Sequence, residues 1–448
     1  MLSKKKDTTQ SSLFFGLEDM LNQNHPMYIL ANKVNWQLFE DSFSPLYCLD
    51  NGRPAKPIRL MVGLLILKHL RNISDESVVE QWSENNYYQY FCGEHVFQPC
   101  EPCEASDLVH FRNRIGESGI ELILKESVRI NGNDSNDSIA SIDTTVQEKN
   151  ITFPTDSKLH RKIIDKCRKI AEKENLPVRQ SYTRTLKKLS LDQRFRNHPR
   201  SKWKAKKADR KEKTIAGRLV RELERNLLPN SRYQSDIDLF KRILNQKKSD
   251  SNKIYSVHEP DVQCISKGKE HKKYEFGNKV SIIYTQTTGV IIGAMGFRNP
   301  YDGHTIEPAL EQSERLLGKR TIKTLIGDRG YKGKRQINET RIEIPKPFNN
   351  RKQSEYQQNK LKKQFRRRAA IEPINGHLKT DHRLNRNFYK GITGDNINVM
   401  LAAAAFNFKR MMNKWKSSFW REFKIQIVDL IKQVFYQINN KIIIKWAF

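Results

Sequence analysis

Long apolar runs are missing from this sequence. The most apolar stretch in its N-terminal part, residues 60–70, is interrupted by Gly63, Lys68 and His69. It is too short to cross a bilayer and reads instead as a buried helix. The start carries Lys4, Lys5 and Lys6 with no apolar run directly behind them, a pattern unlike a secretory signal, so the chain is expected to stay in the cytoplasm. Cysteine is scarce as well. Six residues, at 48, 92, 100, 103, 167 and 264 of 448, are too few and too scattered for a disulfide framework and read as reduced thiols. Cys100 and Cys103 form a C-x-x-C pair near Cys92, His95 and His110, but the spacing fits no standard zinc finger, and loop cysteines are the expectation.

Negative charge is the third shortage. Fifty Asp and Glu stand against 81 Lys and Arg, a formal net charge of +31, far beyond what solubility needs. A polyanion is the expected partner. Acidic lipid would call for an amphipathic basic helix beside an apolar anchor, and neither stands out, so no membrane partner is expected. The segment 157–250 concentrates the charge, with 29 Lys and Arg against 11 Asp and Glu. Within it Ile163, Ile164, Cys167, Ile170, Leu219, Leu223 and Leu227 keep helical spacing, which predicts a helical insertion with a basic face. Tyr182, Phe195 and Trp203 are interleaved with the cations, an arrangement suited to unstacked bases and phosphates or, equally, to packing inside the insertion.

The length exceeds what one hydrophobic core fills, and three parts are expected: an N-terminal helical region (1–135), a mixed α/β region (136–380) that contains the insertion, and a C-terminal helical segment (381–448). From 55 to 130 apolar residues recur three and four apart. Ser74 is the expected N-cap of a helix with Asp75 and Glu76 in its first turn and Ile73 stapled on Val78. A second, short helix from Ser106 would present His110, Arg112 and Arg114, either to a DNA groove or to solvent.

Residues 138–154 read as two short paired strands, the first holding Asp143. Strand character returns at 253–265 and at 279–296 around a turn at Thr288 and Gly289. A helix is expected from 305 to 317, with His304 as its cap. Short strands follow at 321–326 and 342–344, a long basic helix at 356–380, and a helix at 395–412 with Leu401, Ala404, Ala405 and Phe408 inward. Strands grouped with helices in this way make a mixed α/β domain.

Cutting a phosphodiester with metals needs carboxylates that converge where two divalent cations sit about 4 Å apart. Asp143 on an early strand, Asp328 just after a later one and Glu372 on the closing helix meet that need. Each alone has a plainer reading, as a strand end, a turn residue or an exposed helix charge. The surroundings tip the balance, because Phe365, Arg368, Glu372 and Lys379 fall within roughly 60° of one helix face. Pro373 complicates that face, since it removes a helical hydrogen bond and can kink the helix or begin a new one.

With these motifs the sequence resembles the DDE transposases of bacterial insertion sequences, in particular insertion sequence family 5 and its close relatives. Their Tyr, Arg, Glu, Lys signature appears here as Phe365, Arg368, Glu372 and Lys379, with Phe in place of the usual Tyr. The resemblance extends through Ser-Ile-Asp-Thr-Thr at 141–145, Tyr-Asp-Gly-His-Thr at 301–305, Gly-Asp-Arg-Gly-Tyr at 327–331 and Ile-Ser-Asp-Glu-Ser at 73–77, and so covers about 45 to 410.

It implies an RNase H-like core in which Asp143, Asp328 and Glu372 hold Mg²⁺, with Mn²⁺ as a substitute. The metals would activate water for strand cleavage and then the freed 3′ hydroxyl for attack on target DNA. The N-terminal region would recognise terminal inverted repeats, and the working form is expected to be a homo-oligomer on double-stranded DNA, associated with the nucleoid. Expected DNA contacts are Phe365, Arg368, Lys379, Arg329, Tyr331, Arg112 and Arg114, with Lys332 and Lys334 as further candidates; Tyr331 could equally pack on the sheet. Two alternatives remain: a metal-dependent nuclease that cuts without joining, which needs the same acids, and a non-catalytic DNA-binding protein derived from a transposase, against which the three intact acids argue.

Overall fold

The computed structural model describes residues 16–48, 51–228, 231–266, 272–319, 321–345 and 354–417. They form two compact units. Residues up to 147, 280–389 and from 393 onward make the first, and 148–279 with 390–392 make the second. Among the described residues no helix is long and apolar enough to cross a membrane.

The first unit begins with helices. Ile58–Arg71 is buried around its circumference, every residue from Leu60 to Leu70 lying in the interior, Lys68 and His69 of its last turn included. A helix buried all round is a core element. Gly63 lets it approach the neighbouring chain, because a Cβ there would lie 2.7 Å from Cys92 Sγ. The helix stops at Asn72, which adopts the left-handed conformation with φ 58°. Two residues later the Ser74 hydroxyl accepts a 3.1 Å hydrogen bond from Ser77 N and starts the helix Asp75–Glu84, as the sequence predicts. The helix expected from Ser106 is not short: it runs Ala105–Asn131, bent at Gly116, where φ is 61°.

Among the described residues eight strands follow: β1 (Ile139–Lys149), β2 (Gln263–Ile265), β3 (Glu275–Thr285), β4 (Ile291–Phe297), β5 (Thr324–Ile326), β6 (Gln336–Ile337), β7 (Thr340–Glu343) and β8 (Arg386–Asn387). In the first unit the order is β4-β3-β1-β5-β7-β6, with β8 beside β1. β5 runs parallel to both β1 and β7, while β6 and β7 form an antiparallel pair. Gln286 N, just past the end of β3, donates to Ile139 O at the start of β1, so those two strands run antiparallel. Gly289, at φ 73°, makes the turn into β4 where the sequence places it.

Both sheet faces are covered. Ile282, Tyr284 and Ile291 belong to the core that also contains the N-terminal helices and the final helix, residues 391–417. Ile283, Val290 and Ile292 alternate to the opposite face, under Ile306 and Leu310 of the helix Ile306–Leu317.

The structure corrects three sequence expectations. The two strands expected at 138–154 are one continuous strand, and 151–154 is irregular. Of the strand expected at 253–265 only Gln263–Ile265 forms. The long helix at 356–380 is two helices, Glu355–Arg367 and Ile371–Asp381, joined by a 3-10 turn at Arg368–Ala370. Pro373 sits in the first turn of the second helix, where a missing N–H costs nothing.

In the second unit, helices Asp156–Lys173, Thr183–Gln193, Lys202–Asn226 and Gln234–Asn245 enclose a core of their own around Ile163, Ile164, Cys167, Leu219, Leu223 and Phe240. Glu212 is buried among them, but it accepts hydrogen bonds from Ser157 Oγ at 2.6 Å and Gln193 Nε2 at 2.9 Å and pairs with Arg161. A buried carboxylate is tolerable only with such partners. Tyr182 packs against this core, whereas Phe195 and Trp203 are 65% and 59% exposed.

Candidate active site

The parallel pairing of β1 with β5 sets the two aspartates. Ile139 faces Thr324, Ala140 faces Leu325 and Ser141 faces Ile326. Two residues further along each chain stand Asp143 and Asp328. Asp143, midway along β1, and Asp328, just past the end of β5, therefore stand at the same level when that register is extended along strands about 4.8 Å apart, although the two are remote in sequence.

The third acid comes from the other direction. Arg368 Nη1 lies 3.9 Å from Asp143 Oδ1, and Asn375 Nδ2 lies 3.5 Å from Asp143 Oδ2. Glu372 lies between them in sequence, in the first turn of the helix Ile371–Asp381 that also carries Asn375, whereas Arg368 belongs to the 3-10 turn before it. The segment is anchored by its backbone: Tyr284 Oη donates to Arg368 O at 2.9 Å, and Gln286 Nε2 to Gln364 O at 2.8 Å. The Glu372 side chain is exposed. Among the described residues no three His, Cys, Asp or Glu side chains are gathered closely enough to hold one ion. The donor chemistry nonetheless suits a hard divalent cation, since carboxylate oxygens are what Mg²⁺ and Mn²⁺ prefer.

Behind the aspartates the turn 327–331 is folded tightly. Gly330 N donates to Asp328 Oδ1 at 2.7 Å. Gly327 packs on the Tyr331 ring, where a Cβ would be 3.1 Å from ring atoms. Tyr331 is 1% exposed and belongs to the sheet core, so of its two expected roles the structure shows packing. Its hydroxyl is buried beside the Thr144 side chain. Burial first, and then the charges of Asp143, Asp302 and Asp328, push the phenol well above its usual range.

Asp302 is a residue that sequence reasoning passed over. Its Oδ1 accepts from Thr144 Oγ1 at 3.1 Å, next to Asp143. It lies inside the Tyr-Asp-Gly-His-Thr motif, which was the available signal. His304 does not cap the following helix; Thr305 occupies that position without a side-chain cap, and the His304 ring stands edge-on to Tyr301 at 5.7 Å.

The expected DNA contacts fall into separate places. Phe365 is half-buried, Lys379 is half-buried on the second helix, and Arg329, Lys332 and Lys334 are exposed, with Lys334 paired to Glu307 at 2.8 Å. Arg114 is exposed and stacks 4.2 Å from the Tyr47 ring. Arg112 points the other way: it is 4% exposed and bound to Asp75. The structure places it internally, where its two-pronged pair with Asp75 and its burial keep it away from the surface that a phosphate could reach.

This chain belongs to the transposases. Residues 15–114 match the family described as Transposase domain (DUF772), and residues 249–408 match the Transposase DDE domain, which together mark an insertion-sequence transposase. A Rhizobium meliloti protein, "Uncharacterized protein ORF8 in nfe locus", is 41% identical over 189 residues, spanning 41% of this chain and 91% of that one. No solved structure matches the chain.

Proposed function

We propose that this transposase is of the insertion sequence family 5 type, with an RNase H-like core that binds terminal inverted repeats, cuts DNA at the element ends and joins the freed 3′ ends to target DNA. The observation that carries this reading is the parallel register of β1 with β5, which extended by two residues sets Asp143 beside Asp328, with Arg368 and Asn375 near Asp143. Asp143 and Asp328 hold the divalent ions, Mg²⁺ or Mn²⁺, and Glu372 joins them from the helix when ions and DNA are in place. Ions bound there would lower the pKa of water and of the attacking hydroxyl and stabilise charge on the phosphate.

The remaining roles fall to the chain's own side chains. Arg368, 3.9 Å from Asp143, would meet a phosphate oxygen with its planar fork. Phe365, Lys379 and Arg329 flank the strand being cut. Arg114, outward on its helix, contacts the repeat from the N-terminal domain. The protein acts on chromosomal DNA in the cytoplasm, as a homo-oligomer that brings two ends together.

The test is a gel assay with labelled element ends, target DNA and Mg²⁺. Joined strand-transfer products are expected from the wild type and none from Asp143→Ala, Asp328→Ala or Glu372→Ala, each keeping its DNA affinity. Cleavage without joining would establish the nuclease alternative; undiminished cleavage by the three variants would remove the site.

A further inference from the structure

Asp302 stands outside the three acids assigned to the ions, yet it touches the segments carrying two of them. Its Oδ1 receives the hydroxyl of Thr144, the residue next to Asp143 on β1. Its Oδ2 and the Oδ1 of Asp328 both face the bare α-carbon of Gly330, 3.1 and 2.9 Å from where a Cβ would stand. The loop holding Asp302 is pressed against the loop holding Asp328: a Cβ on Gly303 would lie 2.8 Å from Lys332 O. Close approach of two backbones is what glycine permits and other residues prevent.

Beneath this junction the buried Tyr331 hydroxyl stands beside the Thr144 side chain and in the combined field of Asp143, Asp302 and Asp328.

We propose that Asp302 is a positioning residue for the metal site: it ties β1, through Thr144, to the Asp328 turn and so sets the separation of Asp143 and Asp328. The inference rests on the assignment of those two aspartates as ion ligands. Groups that orient metal ligands without binding the ion typically change affinity by about 10- to 100-fold when removed, and a fourth carboxylate adds negative potential that draws cations in.

The experiment is Mn²⁺ binding to the full-length protein, followed by electron paramagnetic resonance in the absence of DNA, for the wild type, Asp302→Ala, Asp302→Asn, Thr144→Val and Asp328→Ala. Asp302→Ala is expected to weaken Mn²⁺ binding by about tenfold or more, and Asp302→Asn, which keeps an oxygen for Thr144, by less. Thr144→Val is expected to shift in the same direction. DNA affinity should be unchanged in all. If Asp328→Ala loses Mn²⁺ while Asp302→Ala binds like the wild type, the role of Asp302 is overturned and the site stands. If Asp328→Ala itself binds like the wild type, the ion-site reading fails first. Should Asp302→Ala not fold, Thr144→Val decides, and wild-type affinity in that variant overturns the proposal.

Discussion

Asp75 and Arg112 form a two-pronged ion pair, Nη1 to Oδ1 at 2.8 Å and Nη2 to Oδ2 at 2.9 Å, with Lys68 Nζ also 2.8 Å from Oδ1. Both cations lie over the Tyr389 ring, 4.4 Å from its centroid for Arg112 and 4.6 Å for Lys68. Burial acts to raise the Asp75 carboxyl, but the hydrogen bond from Arg112 and the charge of Lys68 outweigh it and hold the group below its ordinary range. Asp75→Ala would leave two cations desolvated with no anion, a loss of about 3–5 kcal/mol in unfolding free energy. Urea denaturation checks this. Arg112→Ala is expected to destabilise in the same assay with no separate loss of DNA affinity; weaker DNA binding at unchanged stability would return Arg112 to the DNA surface.

Gly330 offers a second test, since a methyl group there would meet carboxylate oxygens of both Asp328 and Asp302. Gly330→Ala is expected to displace them and lower strand cleavage by about 10²-fold, the effect of misplacing a catalytic group by an ångström. The melting temperature should move little, because the turn is at the surface end of the sheet. Wild-type cleavage rates would mean that the turn has room to adjust.

Salt dependence reports on the insertion. Lys202, Lys204, Lys206, Lys207, Arg210 and Lys211 are all exposed on one helix. If they meet DNA phosphates, replacing them with Gln lowers the slope of log affinity against log salt by about 0.9 for each phosphate that is no longer neutralised. Filter binding at several salt concentrations measures it, and an unaltered slope would place the DNA surface elsewhere.

The pH dependence of stability follows from His69. It is fully buried, with Nε2 3.2 Å from Asn398 Oδ1. Burial, and then the neighbouring Lys68, push its pKa down from 6.5 to about 3. The unfolded chain takes up a proton below pH 6.5 and the folded one does not until about pH 3, so stability is full above 6.5 and falls as pH drops through that window. Thermal melts from pH 7 to 4 should show the decline, with the loss reaching a few kcal/mol at the acid end. A flat profile would show that His69 is charged in the folded state.

What the sequence displays is local chemistry. The Ser74 cap, the Thr288 and Gly289 turn and the inward positions of the last helix follow from residue types within a few positions of each other, and the structure has them. Arg112 and Arg114 look alike in the sequence, because their difference depends on where Asp75 and Tyr47 are in space. The register that sets Asp143 against Asp328 is a long-range pairing with no local signal. For Asp302 the Tyr-Asp-Gly-His-Thr motif gave a local signal, but its partners, Thr144 and the Gly330 turn, are far away in sequence and so were not legible. The break at Arg368–Ala370 was half visible through Pro373, which announces a helix start without fixing where the previous helix ends.

The N-terminal helices and the sheet share a continuous interior, in which Leu64, Leu67 and Phe91 belong with Val280, Tyr284 and Phe408. A fragment confined to residues 15–114 would be cut within the helix Ala105–Asn131 and would turn these side chains toward water. The N-terminal helices and the sheet domain therefore cannot be exchanged separately between transposases as ready-made cassettes; a change in one must be accommodated by the other along a joint surface of oil-like side chains.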